Sequence, residues 1–331
     1  MKDSLKMLCE RFIAARDTVK TVFKMENSYI YPVSANVFIS RGQEADAERL
    51  LACKRVINDQ AGIFSNFRGT VRTPLACMLS LSDRPEEKMA QAMTFYDMLK
   101  QSFWGSEYLT LVAVLLTELT DGLDAEVRME RGKEIYRRMR KEHPFLTSSE
   151  DSVFAVLLAF SLKDNDALIE DMEASYRLLK ERFSDSNCVQ TASHVLALTD
   201  GAPQEKTDRM LQIYDSISAA GGKYGRHYEL AVLAALSVLP ADIGEMTADI
   251  LDADAFLSEQ KGYGFWGLDR RTRMMHAAML TADLYAPESH MESAALASTL
   301  SIVATQQMAM CAAICAASAS SAAAASSAHS S

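Results

Sequence analysis

Cysteine, proline and glycine are all scarce in this chain of 331 residues, at 6, 7 and 14. The cysteines, at 9, 53, 77, 188, 311 and 315, are too few and too scattered for a disulfide framework. That excludes a small cross-linked secreted scaffold and implies reduced thiols. So few prolines and glycines leave long stretches without a helix breaker. An excess of positive charge is also missing: 34 Lys and Arg face 44 Asp and Glu, for a net charge of −10. Such a chain repels a phosphate backbone, so nucleic acid is not an expected partner. The opening "MKDSLKMLCERFIAARDTVK" has no uninterrupted apolar run, which speaks against a secretory signal and for a cytoplasmic protein.

Catalytic signatures are absent too. There is no Walker A loop, GxSxG, HExxH, CxxC or EF-hand loop. No catalytic residue, metal ligand or cofactor is therefore assigned. Sites assembled from distant segments leave no such trace, so catalysis stays open.

What the sequence does contain is a repeat. Tyr96, Tyr136, Tyr176 and Tyr214 follow one another at intervals of 40, 40 and 38 residues. Three residues after each stands Leu99, Met139, Leu179 or Ile217, and four before each Ala92, Gly132, Met172 or Met210. Positions i−4, i and i+3 share one helix face, so each unit opens with a helix bearing one buried stripe. A richer apolar run follows each stripe, as in "SEYLTLVAVLLTEL", "SEDSVFAVLLAFSL" and "SNCVQTASHVLAL". Ser106, Ser149 and Ser186 suit helix N-caps there, and Asp121, Asp164 and Asp200 suit caps for the next unit. Pro74 and Pro32 fit the first turn of second helices.

The spacing predicts about seven antiparallel hairpins of roughly 40 residues, near 2–41, 44–83, 85–121, 124–164, 165–200, 204–240 and 241–286. No period-two strand and no long linker interrupts them. The expected fold is all-α, one helical-repeat domain over 1–290 stacked as an α-α superhelix, with a closed α/α toroid as the alternative. The second helices, being more apolar, are expected as the inner layer. In the helix from Ala125 to Glu142, Val127, Ile135, Tyr136 and Met139 fall to one side and Lys133, Arg137, Arg140 and Lys141 to a solvated other side.

Residues 293–331 contain no Lys, Arg, Asp or Glu. An Ala-rich helix is expected over 291–317 and a disordered Ala/Ser tail over 318–331. Segment 294–317 is the only candidate membrane span, and its alanines and glutamines oppose insertion. Cys311 and Cys315 share a helix face as small packed residues.

Two regions are candidate ligand surfaces. "IFSNFRGTVR" places Phe64 and Phe67 beside Arg68 and Arg72, which suit a carboxylate or phosphate if they share a helix face. "GFWGLDRRTRMMH" gathers Trp266, Arg270, Arg271, Arg273 and His276, types suited to an anion or aromatic ligand. His227 joins them if a toroid brings it near. His194, His227 and His276 hold unequal positions within the repeat and form no ladder. The carboxylates of "LDADAF" and "LKDNDAL" suit helix caps better than a cation.

The stretches "AGIFSNFRGTVRTPLACMLSLSDRPEEKMAQAMTFYDMLK", "IYRRMRKEHPFLTSSEDSVFAVLLA" and "CVQTASHVLALTD" resemble the bacterial family catalogued as domain of unknown function 4003, over roughly residues 5–290. The resemblance implies a bacterial, cytoplasmic setting and carries no activity, cofactor or catalytic residue. The functional expectation is a non-catalytic scaffold binding a protein or peptide, because helical-repeat arrays build extended binding surfaces. The alternative is a toroidal enzyme or small-molecule binder with its site at the wide end. No pattern in the sequence fixes an oligomeric state.

Overall fold

The computed structural model describes residues 1–119, 122–264 and 267–285, and the statements below concern these. Their fourteen α-helices form seven antiparallel hairpins. These are α1 (Asp3–Val22) with α2 (Ile30–Ile39), α3 (Ala47–Gln60) with α4 (Arg72–Ser80), and α5 (Pro85–Leu99) with α6 (Glu107–Leu119). Then come α7 (Gly122–Glu142) with α8 (Asp151–Leu158), and α9 (Asn165–Lys180) with α10 (Ser186–Ala197). The last two pair α11 (Pro203–Ala219) with α12 (Glu229–Ser237) and α13 (Ile243–Ser258) with α14 (Arg270–Tyr285). No strand occurs among the described residues, only a single bridge between Tyr263 and Leu268. Trp266, the Ala-rich segment 291–317, the tail 318–331 and the pair Cys311/Cys315 lie outside the described residues.

The odd-numbered helices are longer and bury one stripe. In α5 it is Met89, Ala92, Phe95, Tyr96 and Leu99, and in α11 Met210, Ile213, Tyr214 and Ile217. The even-numbered helices are far more buried: every residue of α2 and of α12 is buried, and exposed positions such as Asn187 in α10 and Arg271 in α14 fall at helix starts. A helix without a wet face needs neighbours on every side, so the even helices form the inner layer. Val127, placed by its periodicity on the buried side of α7, is instead exposed. The stripe of α7 runs through Met129, Ile135 and Met139.

The all-α stack of hairpins expected from the sequence is present, and it closes on itself. α1 packs against α13 and α14, and α2 against α14. Lys2 Nζ donates to Asp249 Oδ2 and to the Tyr285 hydroxyl, each at 2.8 Å. The Phe12 ring lies 6.0 Å from that of His276, Arg16 stands over Tyr263, and Asn36 hydrogen-bonds Asp283. The superhelix is therefore a toroid, the alternative arrangement.

Two repeated devices brace the stack, the first between units and the second both within and between them. The first is an aromatic ladder. Phe67 meets Tyr96 at 5.2 Å, Phe103 meets Tyr136 at 5.4 Å and Phe183 meets Tyr214 at 5.3 Å, all edge to face. His143 occupies the same place against Tyr176 at 4.5 Å. Each repeat tyrosine thus packs on the preceding hairpin.

The second device caps inner-helix carbonyls with bases from outer helices. Arg131 donates to Ala159 O and Ser161 O, and Arg209 to Ser237 O and Leu239 O. Lys206 Nζ reaches Leu196 O and Lys88 Nζ reaches Met78 O. These cations satisfy carbonyls a helix end leaves free, where the dipole favours positive charge.

Caps at the other ends follow expectation in part. Asp164 accepts from Ala167 N and Ser106 from Leu109 N. At α10 the cap is Asp185, not Ser186, and α11 opens on Pro203, so Asp200 caps nothing there.

Candidate functional site

The inner helices run parallel, so all seven begin at one end of the toroid, beside the tips of the hairpins. Contacts link one tip to the next. Arg72 pairs with Glu26 at 3.0 Å, and Asn66 donates to the Tyr96 hydroxyl at 2.6 Å. The Tyr108 hydroxyl donates to Glu150 at 2.9 Å and Gln190 to Thr147 at 3.3 Å. Tyr228 and Thr272 share a hydrogen bond of 3.0 Å.

Carboxylates crowd this face because inner-helix N-termini need acceptors. Asp185 Oδ1 takes the Cys188 amide, Asp269 Oδ1 the Thr272 amide, Glu107 the Thr70 amide and Glu229 the His227 amide. Asp151 Oδ2 takes Ser148 N at 2.7 Å.

Just inside the face, Asp151 on α8 and His194 on α10 are both buried, with Oδ1 and Nδ1 3.6 Å apart. Burial pushes Asp151 up to about 7 and His194 down to about 3. His194 Nδ1 has no hydrogen-bond partner. The low-dielectric setting favours the neutral form of each.

Further round the face, His227 Nδ1 lies 2.8 Å from Asp185 Oδ2, and Cys188 joins them. Donor atoms of Asp185, Cys188 and His227 all lie within 4.8 Å of one another. Burial, and then the charge of Asp185, push the Cys188 thiol well above its ordinary range. Cys9, Cys53 and Cys77 are by contrast wholly buried.

The same face carries an apolar crescent. Met25 (102 % exposed), Ile63 (76 %), Phe64 (101 %), Trp104 (83 %) and Phe145 (98 %) stand on the tips of four consecutive hairpins. Exposed Lys24, Lys100 and Lys141 lie beside them in the chain. Met25 holds a backbone φ of 105°, a region non-glycine residues rarely enter.

The residues singled out from sequence are dispersed. Phe64 joins the crescent, whereas Phe67 is buried in the aromatic ladder. Arg68 ends a 3-10 turn, so it and Arg72 share no helix, and Arg72 is engaged by Glu26. His227 is at the face with Asp185. Arg270 donates to Gly221 O, Arg271 is exposed, and Arg273 grips Asp254 through two hydrogen bonds of 2.7 and 3.0 Å. His276 is sealed inside, its Nδ1 2.9 Å from the Tyr263 hydroxyl. Arg68, Arg72, His227 and His276 do not converge.

Sequence reading missed Asp185, Cys188, Asp151 and Trp104. Asp185 and Cys188 carried a signal, since residues three apart across a helix start are brought together by capping. Nothing local marks their nearness to His227. A hollow of about 830 Å³, lined by Phe38, Arg41, Arg49 and Asp83, lies at the opposite end, between hairpins.

Fold and face together define a closed α/α toroid whose hairpin tips form one continuous polar and apolar end surface. The chain belongs to the DUF4003 family of proteins of unknown function, whose model matches residues 17–309. It is 27 % identical over 309 residues to the uncharacterised protein YeaA of Bacillus subtilis (strain 168), covering 91 % of this chain and 92 % of that one. No solved structure matches the chain significantly. No helix among the described residues is long and apolar enough to cross a membrane.

Proposed function

We propose that this protein is a docking module that holds a protein or peptide against the hairpin tips, with the tip face as its binding surface. The observation that carries this is the crescent of Met25, Ile63, Phe64, Trp104 and Phe145. Exposed large apolar side chains gathered in one place mark interaction sites, and aromatic residues are the usual anchors. Lys24 and Lys141 beside the crescent favour a ligand whose apolar side chains are flanked by acidic ones, whereas Lys100 is paired with Asp97 at 2.8 Å. A net charge of −10 opposes approach of the whole molecule to an anionic bilayer, so a protein ligand is the better fit.

The test is selection of displayed peptides on the wild-type chain and on the triple variant Phe64→Ser, Trp104→Ser, Phe145→Ser. Enrichment of apolar peptides with acidic flanks on the wild type alone is expected. Equal enrichment on both, or none on either, would sink the proposal.

The second reading, a small-molecule binder or enzyme at the same end, rests on the buried Asp151–His194 pair, whose unpartnered nitrogen is unusual for a purely structural contact. Loss of a bound small molecule on His194→Phe, with unchanged peptide selection, would favour it.

A further inference from the structure

We infer that Asp185, Cys188 and His227 form a binding site for a zinc-class divalent cation on the tip face, bridging the fifth and sixth hairpins. Carboxylate, thiolate and imidazole are the donors such ions take, and together they exclude calcium and magnesium, which take oxygen ligands. Bonds of about 2.0 to 2.3 Å in a tetrahedron put ligand atoms about 3.3 to 3.7 Å apart. The three donors span that range, from 2.8 Å between Asp185 Oδ2 and His227 Nδ1 to no more than 4.8 Å overall.

The supporting contacts already orient the ligands. Asp185 Oδ1 is held by the Cys188 amide at 3.2 Å, which leaves Oδ2 turned toward the imidazole. Glu229 Oε2 holds the backbone amide of His227 at 3.0 Å. The Asp185 contact is of the outer-shell kind that orients metal ligands, and the Glu229 contact holds the main chain that carries the imidazole.

The local charge favours a cation. The N-terminus of α10 presents about half a positive charge. Against it stand Asp185 itself and the carboxylates of Glu150 and Glu229, whose fields both reach Cys188. The negative terms win. His227 is exposed, so an ion has a path in, and three protein ligands leave a fourth position for water or a ligand group. The inference does not depend on peptide docking.

The experiment titrates cobalt(II) into the full-length protein and follows its absorption, with zinc in competition. One equivalent is expected to bind, with a thiolate-to-cobalt charge-transfer band and the intense visible bands of tetrahedral cobalt. Zinc should displace it and raise the melting temperature. Cys188→Ser should abolish the charge-transfer band, and His227→Gln, at an exposed position, should weaken binding at least tenfold. Absence of a saturable one-equivalent site, or a band that survives in Cys188→Ser or is unchanged in His227→Gln, would overturn the assignment. The His227→Gln arm decides the matter even if Cys188→Ser fails to fold.

Discussion

At the scale of single residues, the buried ionisable groups set how stability depends on pH. Asp151 is pushed up to about 7 and Asp283, whose Oδ2 is sealed without a partner, to about 8, both by burial. A carboxyl with a folded pKa above its unfolded value binds its proton more tightly when folded. Its penalty therefore grows as pH rises from about 4 through 7 and 8. His194 and His276 are pushed down to about 3, again by burial. They destabilise as pH falls from about 6.5 toward 3. The two pairs oppose each other between about 4 and 6.5, and above that the carboxyls alone act. In thermal unfolding, Asp151→Asn should gain on the wild type from pH 5 to about pH 7 and then level, and Asp283→Asn should gain from pH 5 to about pH 8. A difference that stays flat with pH would contradict the assignment.

Gly132 makes a second residue-scale case. It takes the repeat position held elsewhere by Ala92, Met172 and Met210. A Cβ there would lie 3.1 Å from Val156 Cα and 3.3 Å from Ala155 O. The α7 helix approaches α8 too closely for a side chain. Gly132→Met, a substitution toward the repeat pattern, should therefore destabilise by about 1–3 kcal/mol in chemical denaturation.

At the scale of elements, the units are joined by the tyrosine ladder as well as by apolar contact. A double-mutant cycle on Phe103→Leu and Tyr136→Leu should give a coupling of about 0.5–1.5 kcal/mol, the range for an edge-to-face pair. Phe103→Leu paired with Tyr214→Leu, which do not touch, should give a coupling near zero. The helices themselves were legible because tyrosine and the aliphatic residue three beyond it recur with one spacing. The ladder partners were less so, although Phe103, His143 and Phe183 each follow a repeat tyrosine by seven residues. The histidine among them hides the pattern from any search for aromatics alone. Arg131 and Arg209 each stand five residues before a repeat tyrosine, but nothing local sets them apart from other bases. Sequence shows that a base is present, not that a carbonyl end lies within its reach. The site was least legible, because Asp185 and His227 are separated by 42 residues and meet only through the packing of hairpins.

At the scale of the molecule, closure was the question periodicity left open. Open and closed stacks use the same hairpin, and the difference lies in a slight rotation between units that no local pattern records. Across the seam stand Lys2, Phe12, Arg16 and Asn36 on one side and Asp249, Tyr263, His276 and Asp283 on the other, with α1 packed on α13 and α14. Removing residues 1–41 should therefore do more than shorten the array. It bares both α14 and α3, and should abolish the cooperative melt instead of lowering it slightly. In an open stack the loss would be one terminal interface. A truncated chain that still melts sharply near the wild-type temperature would contradict a closed assembly.

Closure also constrains how this lineage can vary. Repeat arrays ordinarily lengthen by duplicating a unit at no geometric cost, whereas here an eighth hairpin would have to force every existing junction wider. Relatives are thus expected to differ in the lengths of their tips and not in their number of units, so new binding specificities would arise by rewriting the rim while the wheel keeps its count.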